Sequence, residues 1–234
     1  MKRRDGPSTI RTMGNGIRQG SRGRRAARAL AVLAVAGAVM LGGVKVTGVW
    51  EGAPFPVADP AATAEHLNSQ TLAVYDSLDV PNGLVLNLSN SLGIKADIYD
   101  CHGRGLSHFL DNLEDTAPYE PRTAAISAGL TVTGLKHPQA AEALERARGA
   151  LTAQGWTVES QAAPDHIQLK LKPPSTGPNG VSDTVFVDFY DPSGFFTIEA
   201  HAECARYLEG TLVDFEGKPE HLPFLSVPDR VRRE

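Results

Sequence analysis

The chain has 234 residues, 41% of them hydrophobic, with 23 Lys and Arg against 27 Asp and Glu for a net charge of −4. The charge is unevenly placed: residues 1–28 hold nine cations and one Asp, a net of +8, which leaves −12 on the remaining 206. An acidic main body argues against a nucleic-acid partner, because phosphate contacts need a basic footprint, and its size suits one hydrophobic core rather than two.

Directly after the basic segment comes an uncharged apolar run over residues 29–44, and from residue 26 to 49 only Arg28 and Lys45 interrupt it. Both can snorkel toward headgroups, and Trp50 stands where an interfacial aromatic is favoured. A spanning helix needs about 20 residues, whereas the apolar core of a cleavable signal runs to about 7–15. The basic flank is long for a cleavable signal and no small-x-small site follows Val44, so an uncleaved signal anchor is favoured. The expected topology is single-pass in the plasma membrane. Residues 1–28 lie in the cytoplasm, residues 29–50 form the transmembrane anchor, and everything after them lies outside. Ala29, Leu30, Leu33, Val39, Leu41 and Val44 face lipid in this reading, and membrane lipid is an expected partner of the basic flank. The competing reading is a secreted protein released by cleavage. Arg24-Arg25 would suit a twin-arginine route, yet Ala26-Ala27-Arg28 lacks the hydrophobic residues that follow such a pair. A lipoprotein anchor is excluded, since the first cysteine is Cys101.

Residues 51–60 contain three prolines and predict a stalk, followed by an exported domain over residues 61–216. Asp59-Pro60 predicts a helix start, and Leu67, Thr71, Val74, Tyr75 and Leu78 recur at helical spacing before Pro81. Asn82-Gly83 turns into the alternating Leu84, Leu86 and Leu88, and a second extended run over residues 94–99 suggests a hairpin. Leu106, Phe109, Leu110 and Leu113 space as a short amphipathic helix. From Ala124 to Val132 every even position is apolar, the period of a half-buried strand. Pro138 opens a helix with Ala140, Leu144, Ala147 and Leu151 on its inner stripe, a Glu142–Arg146 pair on its wet side, and Gly155 as a left-handed cap before the strand from Trp156. Three strands follow, through Ile167, Leu169 and Leu171, through Val185, Val187 and Phe189, and through Phe196, Ile198, Ala200 and Ala202. A longer Pro/Gly/Ser-rich surface loop precedes Val185, and Asp191-Pro192-Ser193-Gly194 fits a tight turn. The sum is an α+β domain, an antiparallel β-sheet packed against helices and preceded by one transmembrane helix. Residues 217–234 form a Pro-rich, loose or surface-wrapping tail.

The strand from Ala124, the helix through Leu151 ending in Gly155-Trp156, and the closing strands leading to Cys204 resemble uncharacterised exported proteins of actinobacteria, both membrane-tethered and lipoprotein-like. The resemblance covers residues 120–207 and rests on layout. It implies an exported location and this fold, and it brings no catalytic residues.

Cys101 and Cys204 are the two cysteines of the chain, both beyond the apolar segment. An oxidised domain with one staple contains such a pair, and a Cys101–Cys204 disulfide is expected. The alternative is a metal site, since Cys101, His102, His201 and Cys204 offer two thiolates and two imidazoles, a set zinc accepts. Strand phase argues against it: Cys204 continues the inward parity of Ala200 and Ala202, and His201 the outward parity of Glu199. The remaining histidines, His66, His108, His137, His166 and His221, show no ligand spacing. Ser107-His108 are sequence neighbours whose side chains diverge on a helix, and no nucleophile elbow accompanies them. Asp188 and Asp191 are expected as solvated acids, and residues 102–105 as a tight turn rather than an anion loop. Asn87-Leu88-Ser89 matches a glycosylation acceptor only by chance in a bacterial chain. No cofactor is expected.

A membrane-anchored extracytoplasmic binding module without catalysis is therefore the favoured function, its partner a cell-envelope protein or cell-wall component. The alternatives are an exported hydrolase or metal-dependent enzyme built on the histidines and acids, and a structural component acting through small residues such as Gly37, Gly42 and Gly43 of the apolar helix.

Overall fold

A computed structural model describes residues 49–80, 84–87, 93–113, 117–163 and 165–231, which belong to one compact unit beginning at Val49. The expected spanning segment, with Ala29, Leu30, Leu33, Val39, Leu41 and Val44, lies outside the described residues. Among the described residues no helix is long and apolar enough to cross a membrane.

Asp59 starts helix α1 (Pro60–Leu78) as the sequence predicts. Its carboxylate accepts from the Ala61 N–H at 2.9 Å, and Pro60 occupies the first turn, where its missing N–H has no partner to lose. Helix α2 (His137–Ala153) buries Ala140, Leu144, Ala147 and Leu151, together with Ala143. Gly155 then takes a positive φ of 87°, the conformation that lets the chain reverse into a strand without a Cβ penalty.

Among the described residues eight strands form one sheet: β1 (Val57–Ala58), β2 (Val85–Leu86), β3 (Gly93–Asp97), β4 (Thr123–Thr133), β5 (Thr157–Ala163), β6 (His166–Lys172), β7 (Asp183–Tyr190) and β8 (Phe195–Tyr207). The order is β2-β4-β8-β7-β6-β5, with β3 also on β4 and β1 parallel to the end of β8. All other pairings are antiparallel. Both helices cover one face. Helix α1 crosses β4 and β8, and α2 packs on α1 and lies over β5 and β6. Between the layers sit Leu67, Tyr75, Leu130, Leu144, Phe189, Phe196 and Ile198, all essentially inaccessible. The strand periodicity seen in the sequence is thus the inward face of this sheet.

Four expectations need correction. Residues 51–60 are not a free stalk: Phe55 is buried and β1 adds to the sheet beside Arg206 and Tyr207. The hairpin expected over residues 84–99, whose positions 88–92 lie outside the described residues, is not what the described strands make. Strands β2 and β3 lie end to end along the same edge of β4, each pairing with it rather than with the other. The loop before β7 turns inward at its end, burying Val181. The stripe of Leu106, Phe109, Leu110 and Leu113 falls on two short 3-10 turns, Leu106–His108 and Asp111–Leu113, and stands in solvent instead of packing.

Residues 217–231 run over the surface of the domain. Leu222, Leu225, Val227 and Val231 pack against the core, Ser226 N–H donates to Asn68 Oδ1 at 2.9 Å, and Arg230 bridges to Asp76 at 2.8 Å. Tyr207, at the end of β8, donates to the Gly217 carbonyl at 3.1 Å, and burial, reinforced by Asp214, pushes its phenol up to about 12.

Candidate functional site

The second face of the sheet carries the polar side chains of β6, β7 and β8. Alternation along each strand leaves Gln168 and Lys170, Thr184, Phe186 and Asp188, and Thr197, Glu199 and His201 half-exposed on this face. An antiparallel sheet with one face covered and one wet has this pattern.

Cross-strand register organises these groups into rows. Asp188 lies opposite both Gln168 and Thr197. Its Oδ1 accepts from Gln168 Nε2 and contacts His166 Nε2, both at 2.8 Å. Glu199 lies opposite Phe186, and its carboxylate is 3.3 Å from His201 Nε2. The Phe186 and His201 rings meet edge to face at 5.7 Å. Thr131 and Thr197 share a hydroxyl hydrogen bond of 3.1 Å, and Lys170 faces Glu159 at 3.8 Å. Asp188 is thus a partnered acid rather than the solvated one the sequence suggested, because the β6–β7 register brings two side chains onto it.

Cys101 and Cys204 are joined, with S–S 2.03 Å and Cα atoms 5.8 Å apart. The parity argument about Cys204 fails, however. A β-bulge in β8 opposes Ala202 and Ala205 to Ile126 and Ala124, so that Glu203 and Cys204 of β8 stand against Ala125 alone of β4, and the extra residue reverses the phase. Ala205 and Tyr207 become buried, and Cys204 shares the outward phase of His201. The thiolates are spent in the disulfide, and the imidazoles are engaged separately: His201 with Glu199, and His102 Nδ1 with the Pro118 carbonyl at 3.3 Å. Among the described residues no group of three His, Cys, Asp or Glu is placed to hold a metal.

Two arrangements escaped the sequence. Ser127 of β4 is the direct cross-strand partner of His201, which sets a hydroxyl, an imidazole and the Glu199 carboxylate on one face. No hydrogen bond joins Ser127 to His201 among the described residues. Lys95 of β3 lies opposite Ser127 on its other side, while the neighbouring backbone N–H groups serve the β-ladder. The second is a buried cluster under the other face. Asp183, with a fully buried side chain, accepts at Oδ2 from Gln70 Nε2 at 2.9 Å and contacts His66 Nε2 at 2.8 Å. A separation of more than a hundred residues hides this pair from any local pattern; the one clue is the polar Gln70 on the buried stripe of α1.

No protein family, curated protein or solved structure compared with the chain matches it.

Proposed function

We propose that this chain is a membrane-anchored extracytoplasmic binding module, without catalysis, that engages a cell-envelope protein or cell-wall component through the open face of β6, β7 and β8. The observation that carries this reading is the state of that face. Its acids and imidazoles are partnered within the sheet, so they are held in place, yet they remain half-exposed and retain outward hydrogen-bonding capacity. Phe186 supplies an apolar centre among them, the composition of a recognition surface. The charge asymmetry around residues 29–50 supports the anchor. The disulfide supports an oxidising compartment outside the cytoplasm, and the resemblance to exported actinobacterial proteins agrees with both.

The test is a photo-crosslinking residue placed at Phe186 and, separately, at Glu142 on the wet side of α2, in the full chain expressed in its host. A discrete adduct from position 186 alone is the expected result, and equal labelling from both positions, or from neither, would overturn the sheet face as the contact surface. Juxtaposition of Ser127, His201 and Glu199 favours a second reading, an exported hydrolase. Any hydrolytic turnover abolished by Ser127→Ala would establish it in place of the first.

A further inference from the structure

Four large apolar side chains are exposed together on the segment between β3 and β4: Leu106 at 56%, Phe109 at 56%, Leu110 at 73% and Leu113 at 67%. Their spacing of three and four residues puts them on one side of the helical turns, while Ser107, His108 and Asp111 occupy the other. On the polar side His108 packs inward, while Ser107 and Asp111 stay exposed. The His108 imidazole packs so closely on Gly103 that a Cβ there would lie 2.6 Å from the ring, and His108 also faces Asp111 at 3.5 Å. The segment is therefore amphipathic with its apolar stripe outward, the reverse of what a water-facing surface rewards.

Its position explains the inversion. Gly52 and Gly105, both at positive φ, lie back to back. A Cβ on Gly52 would come 2.6 Å from the Arg104 backbone, and one on Gly105 would run into Gly52 and the Trp50 carbonyl. The Arg104 guanidinium stacks over the Phe55 ring at 3.9 Å, a second fastening between the same two stretches. The exposed loop is thus held directly beside Val49 and Trp50, themselves 62% and 58% exposed, and these two residues end the apolar run that begins at residue 26.

The geometry points to the outer surface of the bilayer as the occupant of this patch: Leu106, Phe109, Leu110 and Leu113 enter the interfacial region next to Trp50 and fix how the domain stands on the membrane. This rests on the anchor reading above, since covalent continuity with a spanning segment is what brings residue 49 to the lipid surface. Apolar and aromatic side chains beside a polar face are the composition by which an amphipathic element lies in the headgroup boundary. A lipid contact here would leave the open face of β6, β7 and β8 free for its own partner.

The test uses the full chain in phosphatidylcholine vesicles with brominated acyl chains, and reads tryptophan emission in a Trp50→Phe, Trp156→Phe background. Leu110→Trp places an indole in the patch. Tyr190→Trp places one at the far end of the sheet, opposite Phe195, since the twelve-residue run of β8 from Phe195 to Arg206 covers about 35 Å. Loss of most of the emission at position 110, with none at position 190, is the expected result, and Leu113→Trp repeats the reading should the first variant fold poorly. Carbonate-resistant flotation with unquenched indoles at 110 and 113 would overturn the inference while leaving the anchor intact, the outcome also expected if a second copy of the chain covered the patch. Release of the chain from vesicles by carbonate would overturn the anchor reading and the inference with it.

Discussion

Asp183 shows at the residue scale how much one buried carboxylate can depend on its neighbours. Its side chain is fully enclosed while that of His66 is 28% exposed, so the imidazole and Gln70 replace the lost water at Oδ2, and Oδ1 has no hydrogen-bond partner among the described residues. Removing the acceptor of a buried hydrogen bond costs about 1 to 3 kcal/mol, mostly through the donor left unpaired. Asp183→Ala is therefore expected to lower unfolding free energy in urea by about 2 kcal/mol, since Gln70 stays buried while His66 can recover solvent. The carboxylate also lies close against Gly177: a Cβ there would come 2.8 Å from Asp183 Oδ1 and 3.0 Å from Oδ2. Gly177→Ala should cost about 1 to 3 kcal/mol by overpacking. Combined with Asp183→Ala, it should cost almost nothing further, since the atoms it collides with are gone. Additive losses in the double variant would show that Gly177 is required for some reason other than the carboxylate.

Elements meet through similar local arrangements, and one of them joins the two helices. Helix α1 ends at Leu78, with Asp79 in the left-handed region at φ 46°. The free carbonyls there receive Arg146 of α2, which donates to both Leu78 O and Asp79 O at 3.3 Å while pairing with Glu142 at 2.9 Å. Among the described residues Arg148 bonds only Glu145, three residues earlier on its own helix, and both are exposed. Arg146→Ala should therefore lower stability by about 1 kcal/mol, and Arg148→Ala by almost nothing, in parallel thermal unfolding runs; equal losses would remove the capping role of Arg146. The Glu142–Arg146 pair was legible from its spacing, as were the Asp59 cap, both helices and the inward stripes of β4, β6, β7 and of β8 as far as Ala202, because each depends on residues a few positions apart. Less was legible where an element's neighbours decide. Leu84 and Leu86 alternate as a strand should, but only β4 determines that β2 and β3 share its edge instead of pairing. The stripe from Leu106 to Leu113 has helical spacing, and spacing does not say which side meets the protein.

At the scale of the whole molecule the disulfide connects what the sheet order leaves apart. Cys101 lies in the long connection between β3 and β4 and Cys204 at the bulged end of β8, 103 residues away. The bond closes a loop containing β4, both strands of the β5–β6 hairpin, β7 and α2. Cysteine count and placement made the pairing legible, whereas the phase of Cys204 was not, since one inserted residue in β8 reverses it and strand alternation gives no notice of a bulge. The candidate face was equally hidden: His166, Asp188, Glu199 and His201 look like scattered surface residues until the register of three strands sets them in rows. Closing a loop of that length should stabilise the fold by roughly 4 to 5 kcal/mol through the restricted unfolded chain, which for a domain of this size lowers the melting temperature on the order of 10 °C when lost. The expected outcome is that Cys101→Ser, Cys204→Ser, the double variant and the reduced wild-type chain all melt at one lower temperature, with the two single variants no worse than the double. If the single variants melted well below the double, the loss would come from a buried thiol rather than from loop closure. If the double variant matched the oxidised protein, the compaction of the unfolded chain would already supply what the bond was thought to add. The same bond holds the exposed loop of residues 104–113 to the end of the sheet where residues 49–58 attach. Reduction should therefore free that loop first, and proteolysis within it, well below the melting temperature, is the local sign that loop closure and loop placement rest on one covalent link.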